Sequence, residues 1–346
     1  MARDLKLGLN TGYWAAGPPA GMPEAVAEAE RLGFDSLWTA EAYGSDGLTP
    51  LAWWGSEIER MRLGTAITQM SARQPAATAM AAMTLDHLSG GRFVLGLGVS
   101  GPQVVEGWYG MPFAKPLART REYIGILRDI WARREPVTSS GPHYPLPLPG
   151  GTGLGKPLRS SIHPLREDIP IFLGAEGPKN IALCAELCEG WLPMLFSPAH
   201  QDLYLPSLRE GWGREGARCR PEDFEVVATV PLIVSEDLEA AIDAVRPFYA
   251  LYLGGMGAKG ANFHANVAIR MGYGGLVEEI QDLYLARRRE EAAAKIPTEL
   301  IEAMSLLGSP AKIRDDLEKW RDSVVTTLLV SGDANTIRQA AEIVLG

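Results

Sequence analysis

The alternation of strand-like and helix-like segments along nearly the whole chain constrains its fold more than any other feature. In the first hundred residues, short apolar runs occur at Leu5–Asn10, Phe34–Thr39, Leu63–Thr68 and Phe93–Leu97, and a helical pattern separates each from the next. Parallel strands need a crossover connection, which is usually a helix. The order therefore predicts a parallel sheet that is covered by helices.

The same order returns after residue 168. Further strands are predicted at Ile169–Leu173, Gly190–Leu195, Phe224–Ile233 and Val325–Val330, which gives about eight strand–helix pairs in total. An open doubly wound sheet is the alternative, but this number of pairs favours a (β/α)8 barrel. The predicted helices are Pro23–Leu32, Leu48–Glu59, Pro75–Leu88, Arg119–Arg133, Pro178–Glu189, Leu238–Leu251, Pro310–Arg321 and Asn335–Val344.

Two segments interrupt this alternation. Residues 136–166 are rich in Pro and Gly and have no periodicity, which is typical of a functional lid or a mobile flap when a loop is this long. Residues 254–307 have a mostly helical pattern and predict an inserted helical segment near the barrel mouth. Because no repeat or change in composition divides the chain, we expect a single barrel domain over residues 1–346.

Composition and charge exclude several classes of protein. The chain has 346 residues and a net charge of −9, with no basic block, so nucleic acid is not the expected partner. No signal peptide or membrane-spanning stretch is apparent, and a cytoplasmic location is expected. Cys184 and Cys188 lie one helical turn apart and Cys219 stands alone, so neither a disulfide framework nor a metal site is predicted.

The carboxyl ends of the strands are where a (β/α)8 barrel places its site. Residues that directly follow each predicted strand are therefore the candidates for binding and catalysis. They are Asn10, Thr11, Gly12, Tyr13, Glu41, Tyr43, Thr68, Gln69, Gly98, Val99, Ser100, Gly101, Pro102, Gln103, Gly174, Ala175, Glu176, Gly177, Pro178 and Lys179.

Two glycine-rich runs among these candidates suggest different roles. GAEGPKN (174–180) has glycines and a proline at the entry to a helix, and the free N–H groups there favour a phosphate over a plain turn. LGLGVSG (95–101) contains GxGxxG, but its first glycine lies inside the strand and no strand ending in an acidic residue follows. This second run therefore predicts a glycine-lined loop at the mouth, with a dinucleotide site as the weaker alternative. The motifs of zinc hydrolases and serine esterases are absent from the sequence.

Several stretches resemble the bacterial luciferase-like oxidoreductase family. They are ERLGFDSLWTAE (30–41), RLGTAITQMSARQPAATAMAAMTLDHLSGGRFVLGLGVSG (62–101), PIFLGAEGPKNIALCAELCEGWLP (170–193) and GSPAKIRDDLEKW (308–320). The resemblance covers most of the chain apart from the two insertions. The combination of SARQPA, LGLGVSG and GAEGPKN is most similar to the branch of the family that uses coenzyme F420.

The resemblance implies a set of cofactor-binding residues. A non-proline cis peptide is expected at Ala66–Ile67, in a bulge of strand three behind the deazaflavin ring, with Thr68 beside it. Glu41 matches an acidic residue near the polar edge of the ring. The remaining positions are expected to line the tail of the cofactor or to cradle its phosphate: Gly98, Val99, Ser100, Gln103, Gly174, Ala175, Glu176, Gly177, Pro178 and Lys179.

The chain departs from the sugar-phosphate dehydrogenases of this family at two positions. Those members have a His after the strand-two acid and a Glu after strand four, and this chain has Ala42 and roughly Gly101 there. Oxidation of a sugar phosphate is therefore not expected. Glu41 and Tyr13 are the predicted catalytic residues, and Glu176 or a residue of the long loop are the other candidate proton donors.

The resemblance implies an F420-dependent oxidoreductase that moves a hydride between C5 of the deazaflavin and a small organic substrate. Two alternatives stay open from the sequence. One is an FMN-dependent monooxygenase on the same fold, and the other is a carrier that binds F420 without catalysis. The resemblance also implies a homodimer, with the SGGR region (residues 89–92) near the interface.

Overall fold

A computed structural model describes residues 4–14 and 16–346. The strands lie close to their predicted positions, with differences that are described below. They are β1 (Lys6–Asn10), β2 (Ser36–Thr39), β3 (Arg62–Thr65), β4 (Thr68–Gln69), β5 (Phe93–Gly98), β6 (Ile171–Gly174), β7 (Gly190–Leu192), β8 (Glu225–Thr229), β9 (Leu232–Val234), β10 (Leu306–Gly308) and β11 (Thr327–Val330).

The helices follow the strands in the predicted order, and most begin with a proline in the first turn, where its missing N–H is not needed. Short 3-10 turns occur at Met70–Ala72 and Pro198–Leu203, and π turns at Leu251–Gly255 and Ile269–Tyr273. The α-helices are α1 (Met22–Leu32), α2 (Thr49–Gly55), α3 (Pro75–Leu88), α4 (Pro102–Gly107), α5 (Pro116–Ala132), α6 (Pro178–Leu187), α7 (Leu205–Trp212), α8 (Leu238–Ala250), α9 (Ala265–Ala268), α10 (Gly274–Leu285), α11 (Arg289–Ala294), α12 (Thr298–Glu302), α13 (Pro310–Arg321) and α14 (Ala334–Val344).

The sheet closes into a parallel barrel, as predicted. Its order is β3-β2-β1-β11-β8-β7-β6-β5-β4, and a pairing of β3 with β5 completes the ring. Since β3 and β4 share one position, the barrel has eight strand positions. Its interior is filled by large side chains, as is usual for this fold. These are Trp38, Val94, Phe172, Leu192, Val227 and Leu329.

Strand three is interrupted, although Leu63–Thr68 was predicted as one strand. β3 ends at Thr65, a cis peptide joins Ala66 to Ile67, and β4 then pairs with β5 alone. The cis peptide lies where the resemblance implied it. At the break, the hydroxyl of Thr65 lies 3.0 Å from the backbone nitrogen of Gly96 and 2.8 Å from its carbonyl oxygen. Contacts between the Thr65 side chain and the Gly96 backbone therefore replace part of the backbone pairing between the strands.

The predicted strand Phe224–Ile233 is two strands that belong to different sheets. β8 lies in the barrel, whereas β9 pairs in parallel with β10 to form a separate two-stranded sheet. Pro231 separates them, and proline has no N–H to continue a ladder. Its carbonyl instead accepts a hydrogen bond from the backbone N–H of Leu306 (2.9 Å).

The loop at residues 136–166 packs against α3 and α5. It contains two isolated antiparallel bridges, and the Glu122 carboxylate accepts hydrogen bonds from the backbone N–H groups of His143 (2.9 Å) and Tyr144 (3.2 Å). Near the end of the loop, Arg166 binds the buried Asp86. These bonds hold the segment along the flank of the barrel, so it is not free in the way that a mobile flap would be.

The insertion at residues 254–307 is helical, as predicted, and contains α9 to α12. It reaches the barrel mouth, where Arg270 Nη2 donates to the carbonyl oxygen of Glu176 (2.7 Å). Two short helices were not predicted, α4 directly after β5 and α7 between β7 and β8. No helix within the described part of the chain has both the length and the apolar character to cross a membrane.

Candidate functional site

Glu41 lies at the end of β2 with its carboxylate bound to hydrogen-bond donors. Glu41 as a whole is only 5% exposed. Oε2 accepts from the backbone N–H of Gln69 (2.8 Å), and Oε1 accepts from Arg73 Nη1 (2.8 Å) and from the N–H of Gly47 (3.4 Å). These contacts join the loops after the second and third strands. Glu41 is therefore better placed to hold those loops together than to exchange a proton with a substrate.

The bulge beside Glu41 presents polar atoms at the mouth. Ala66 and Ile67 pack on the barrel interior, and a Cβ added to Gly98 would lie 2.7 Å from Ile67 Cδ1. Thr68 Oγ1 and Gln69 Oε1 are both buried and have no hydrogen-bond partner among the described residues. Buried polar atoms normally have a partner, so these two indicate that a polar ligand belongs at this end of the barrel.

The loop after β5 borders a small groove beside the mouth. Val99 lines this groove, which has a volume of about 40 Å³. Ser100 has a left-handed backbone (φ 58°), and Gln103 is exposed on α4. Further along this segment, Phe113 stacks on Phe263 of the insertion with ring centroids 6.1 Å apart. Other groove residues are Met70, Ser71, Arg73, Gln74, Val105, Met111, Pro112, Pro116, Arg119 and Tyr144.

The first turn of α6 is open, as an anion site requires. Gly174 and the buried Ala175 lead from β6 to Gly177, which directly precedes the helix. A Cβ added to Gly177 would have none of the described protein atoms within 4 Å. Pro178 and Lys179 are exposed. The first N–H groups of a helix have no partner inside it, and they attract anions.

Glu176 is the residue whose environment differs most from its ordinary one. Its side chain is 11% exposed, and Oε1 accepts from the N–H of Met194 (3.0 Å). Oε2 is buried and has no hydrogen-bond partner in the part of the chain that the structure describes. Burial raises the pKa of this carboxyl to about 8, against the opposing effects of the Met194 N–H and the Arg270 charge. Glu176 is therefore largely protonated near neutral pH.

Three further titratable groups follow one another from Glu176 towards the lip of the mouth, and sequence reasoning had assigned a role to only one of them. His264 Nδ1 lies 3.8 Å from Glu176 Oε1, and burial lowers the pKa of His264 to about 4. The ring of Tyr252 meets that of His264 edge-on at 5.0 Å. The Tyr252 hydroxyl interacts with Tyr13, the predicted catalytic residue, which is 48% exposed at the lip of the mouth. His264, Tyr252 and Tyr13 thus lie one after another between Glu176 and the lip of the mouth.

The insertion residues of this cluster were difficult to identify from the sequence. His264 and Arg270 lie about ninety residues after Glu176, in a segment that cannot be folded from its pattern. The available signal was the presence of a His and an Arg in the mostly apolar helical run HANVAIRM (264–271). Cys184 does not belong to this cluster, because its thiol is buried in the core and donates to the carbonyl of Gly190 (3.2 Å). Within residues 4–14 and 16–346, no group of His, Cys, Asp and Glu is suited to a metal.

The raised pKa of Glu176 makes the stability of the protein depend on pH. Between pH 4.5, the ordinary value, and about 8, the unfolded chain releases a proton that the folded protein keeps. The free energy of unfolding therefore falls as the pH rises through this window. Glu176→Gln removes the effect, so its Tm relative to wild type should increase from pH 5 to pH 8 and then level off.

Thermal unfolding followed by circular dichroism at several pH values measures this difference. Glu279→Gln, which changes a half-exposed carboxyl on α10, is the matched control and should keep a Tm close to wild type throughout. A constant offset between Glu176→Gln and wild type from pH 5 to pH 9 would show that the carboxyl titrates normally.

Comparisons with known proteins agree with this architecture. The family model described as luciferase-like monooxygenase matches residues 7–327. A protein of Mycobacterium tuberculosis, whose name gives it by inference as a coenzyme F420-dependent oxidoreductase, is 56% identical over 99% of this chain and 100% of its own length. Among solved structures, the coenzyme F420-dependent tetrahydromethanopterin reductase of Methanopyrus kandleri superimposes with a TM-score of 0.79. It is 21% identical and covers 100% of this chain and 99% of its own.

A second solved structure has the same fold. It is an F420-dependent secondary alcohol dehydrogenase in complex with an F420–acetone adduct, with a TM-score of 0.75 and 17% identity over 99% of this chain and 98% of its own. The family match and the close relative extend over the barrel and its insertions alike. The chain therefore belongs to the luciferase-like monooxygenase family.

Proposed function

We propose that this chain is a coenzyme F420-dependent oxidoreductase that transfers a hydride between C5 of the deazaflavin and a small organic substrate. The observation that carries the proposal is the open first turn of α6 on the same barrel mouth as the bulge at Ala66–Ile67. The open helix turn suits the anionic tail of the cofactor, and the bulge suits a flat ring with polar edges. The name of the close mycobacterial relative supports the same cofactor.

The residues at the mouth fit this cofactor. Thr68 and Gln69 offer buried polar atoms that have no protein partner, and Gly177 leaves room for a phosphate against the helix end. We assign the ring to the bulge, with Gly98 opposite it, and the tail to the loop that includes Val99, Ser100 and Gln103. When bound, F420 supplies a carbon centre that donates or accepts a hydride. The protein supplies orientation through Glu41 and the exclusion of water by the insertion.

The rim of the mouth favours an apolar substrate. Exposed aromatic side chains lie there on three separate loops, namely Tyr13 (48% exposed), Tyr43 (62%) and Phe263 (37%). The nearby guanidinium of Arg270 is bonded to the carbonyl of Glu176. Aromatic side chains contribute large apolar contact areas, so an uncharged ketone or enone is the substrate class that we propose.

We further propose that the chain acts as a single-domain subunit of a cytoplasmic homodimer. Support comes from α3 and the end of the long loop, where the exposed fractions are 59% for Met80, 76% for Leu88 and 50% for Leu165. Exposed apolar side chains of this kind mark protein interfaces when they form a patch. Light scattering coupled to gel filtration measures the oligomeric state, and a monomer would contradict this part of the proposal.

A binding titration tests the choice of cofactor. The apo-protein is titrated with F420 and, separately, with FMN, and the change in fluorescence is followed. Binding of F420 with little binding of FMN is the expected result. Binding of FMN alone would instead indicate a flavin monooxygenase. Tight F420 binding without reduction of any ketone or enone by the reduced cofactor would indicate a carrier.

Gly177→Asp tests the assignment of the phosphate to α6. Aspartate is a good residue at the start of a helix, and the extended backbone of Gly177 (φ −83°, ψ 147°) accommodates it. The new carboxylate would repel a phosphate about 5 Å away by about 3 kcal/mol at an effective dielectric constant of 20. F420 affinity should therefore fall by roughly 100-fold while Tm is kept.

Ser309→Asp is the matched control, because it makes the same charge change at the start of α13, where Ser309 accepts from the N–H of Lys312. It should leave F420 affinity within about twofold of wild type. Equal affinities for wild type and Gly177→Asp would place the phosphate elsewhere.

A further inference from the structure

Glu176 has one carboxyl oxygen bound and the other buried without a partner. The N–H of Met194 holds Oε1, and Oε2 has no hydrogen-bond partner in the described protein. We propose that Glu176 is the catalytic acid that gives the substrate oxygen its proton when the carbon receives a hydride, and that takes the proton back in the reverse reaction. This inference rests on the proposed function and assigns the proton-transfer residue of that same site.

The position of Glu176 in the fold supports this role. It directly precedes Gly177, so it belongs to the turn assigned to the cofactor phosphate, but its side chain turns towards the loop after β7 and towards the insertion. The carboxyl thus lies where the turn assigned to the cofactor phosphate meets the loop after β7 and the insertion. A proton donor for a substrate held between them is needed at this place.

The groups around Glu176 keep its proton on the carboxyl. Burial raises its pKa to about 8, and the facing His264 is uncharged because burial lowers its pKa to about 4. Burial also raises the pKa of Tyr252 and Tyr204, which face the same carboxyl from the π turn after α8 and from the residue before α7.

The remaining charged groups near Glu176 are cations that do not contact its carboxyl oxygens. Arg270 donates to the backbone carbonyl of Glu176, so its hydrogen bond does not go to the carboxyl. Lys179, on the helix that follows, is exposed. The carboxyl therefore keeps a proton near neutral pH, as an acid in this position must.

The other predicted proton donors fit the role less well. Glu41 accepts hydrogen bonds from Gln69, Arg73 and Gly47, and these donors occupy both of its carboxyl oxygens. Tyr13 lies at the exposed lip and interacts with Tyr252. We assign Tyr13 and Tyr252 to the route by which Glu176 exchanges protons with solvent.

The step balances for a ketone. The carbonyl carbon gains a hydride from the reduced deazaflavin, the π electron pair moves to the oxygen, and the oxygen takes the proton of the Glu176 carboxyl. The products are an alcohol, the oxidised deazaflavin and the Glu176 carboxylate. Solvent then restores the proton through Tyr252 and Tyr13. In the opposite direction, the carboxylate accepts the hydroxyl proton of an alcohol as the hydride leaves its carbon.

An infrared measurement on the loaded protein tests this contact without turnover. Wild type and Glu176→Gln are saturated with oxidised F420 and mixed with cyclohexanone that carries carbon-13 at its carbonyl. A carboxylic acid donates a stronger hydrogen bond than an amide, so the labelled carbonyl band should shift to lower frequency in wild type at pH 6. The shift should shrink in Glu176→Gln and also in wild type at pH 10, where the proton is lost.

Kinetics with reduced F420 and the same ketone provide the second readout. In Glu176→Gln, kcat should fall by roughly 100-fold or more, because a positioned acid contributes about 10²–10⁴ to the rate. The wild-type rate should decline above about pH 8, and this limb should be absent from the variant. Glu279→Gln should keep both the rate and the limb.

The outcomes separate the two proposals. If wild type does not bind F420, the proposed function fails and this inference fails with it. If wild type and Glu176→Gln both bind F420, but the labelled carbonyl has no shift or the same shift in the two proteins, only the role of Glu176 is overturned. An unchanged pH limb in Glu176→Gln has the same meaning, because a merely structural glutamate would leave that limb in place.

Discussion

Gly96→Ala is expected to prevent the barrel from folding. A Cβ at this position would lie 1.6 Å from the carbonyl oxygen of Thr65 and 2.8 Å from its carbonyl carbon. Both are backbone atoms of β3, so no side chain can move aside to relieve the overlap. Relief would require separating β3 from β5, and the pairing of these two strands closes the barrel. We expect a loss of more than about 4 kcal/mol, which is exceptional for one methyl group.

Soluble yield and cooperative thermal unfolding measure the effect of Gly96→Ala. Gly125→Ala is the matched control, because Gly125 lies in α5 and an added Cβ would meet no atom within 4 Å. This control should gain about 0.5–1 kcal/mol, since alanine favours a helix over glycine. A Gly96→Ala protein that unfolds cooperatively within a few degrees of wild type would show that β3 and β5 can separate without loss of the fold.

Arg166→Met is expected to have the second largest effect on stability. Asp86 is 1% exposed, and Arg166 Nε lies 3.1 Å from each of its carboxyl oxygens, while Nη2 donates to the carbonyl of Phe93 (2.7 Å). Removal of the guanidinium leaves a buried carboxylate without its partner. Breaking a buried pair in this way costs about 3–5 kcal/mol. Tm should fall by roughly 5–10 °C, and the long loop should detach from α3.

Thermal unfolding and limited trypsin digestion together measure these two consequences. In Arg166→Met, trypsin should cleave the loop faster than in wild type. Arg159→Met changes an exposed arginine of the same loop and is the control. It removes one cleavage site, and the remaining sites of the loop should be cleaved as slowly as in wild type. The double variant Asp86→Leu/Arg166→Met removes both charges and should regain much of the stability. If the double variant were as unstable as the single one, the loss would come from packing and not from the unpaired charge.

The barrel could be predicted from the sequence because its signals are local. α3 begins and ends where predicted, since Pro75 starts the helix and a Ser-Gly-Gly turn follows Leu88. The break in strand three could not be derived from periodicity, because Ala66 and Ile67 continue the apolar run. Only the resemblance indicated it. The division of Phe224–Ile233 between two sheets depends on where β10 lies, some seventy residues later.

Site residues could be predicted from the sequence only where they directly follow a strand of the barrel. The mouth residues after each strand follow from the barrel geometry alone, and the structure places them together at one end. The environment of Glu176 could not be predicted, because His264 and Arg270 belong to the insertion and Met194 belongs to the next strand loop. A raised pKa depends on burial by groups from several elements, and a sequence pattern does not contain that information.

The small sheet of β9 and β10 has a consequence for how this protein can evolve. The register pairs Leu232 with Leu306 and Val234 with Gly308, so the segment between the two strands starts and ends at one place. Insertions, deletions or exchanges within residues 235–305 can therefore change the side of the mouth to which we assign the substrate while the distance between β8 and β11 stays fixed. Selection for a new substrate can act on this segment alone, with the cofactor side of the barrel inherited unchanged.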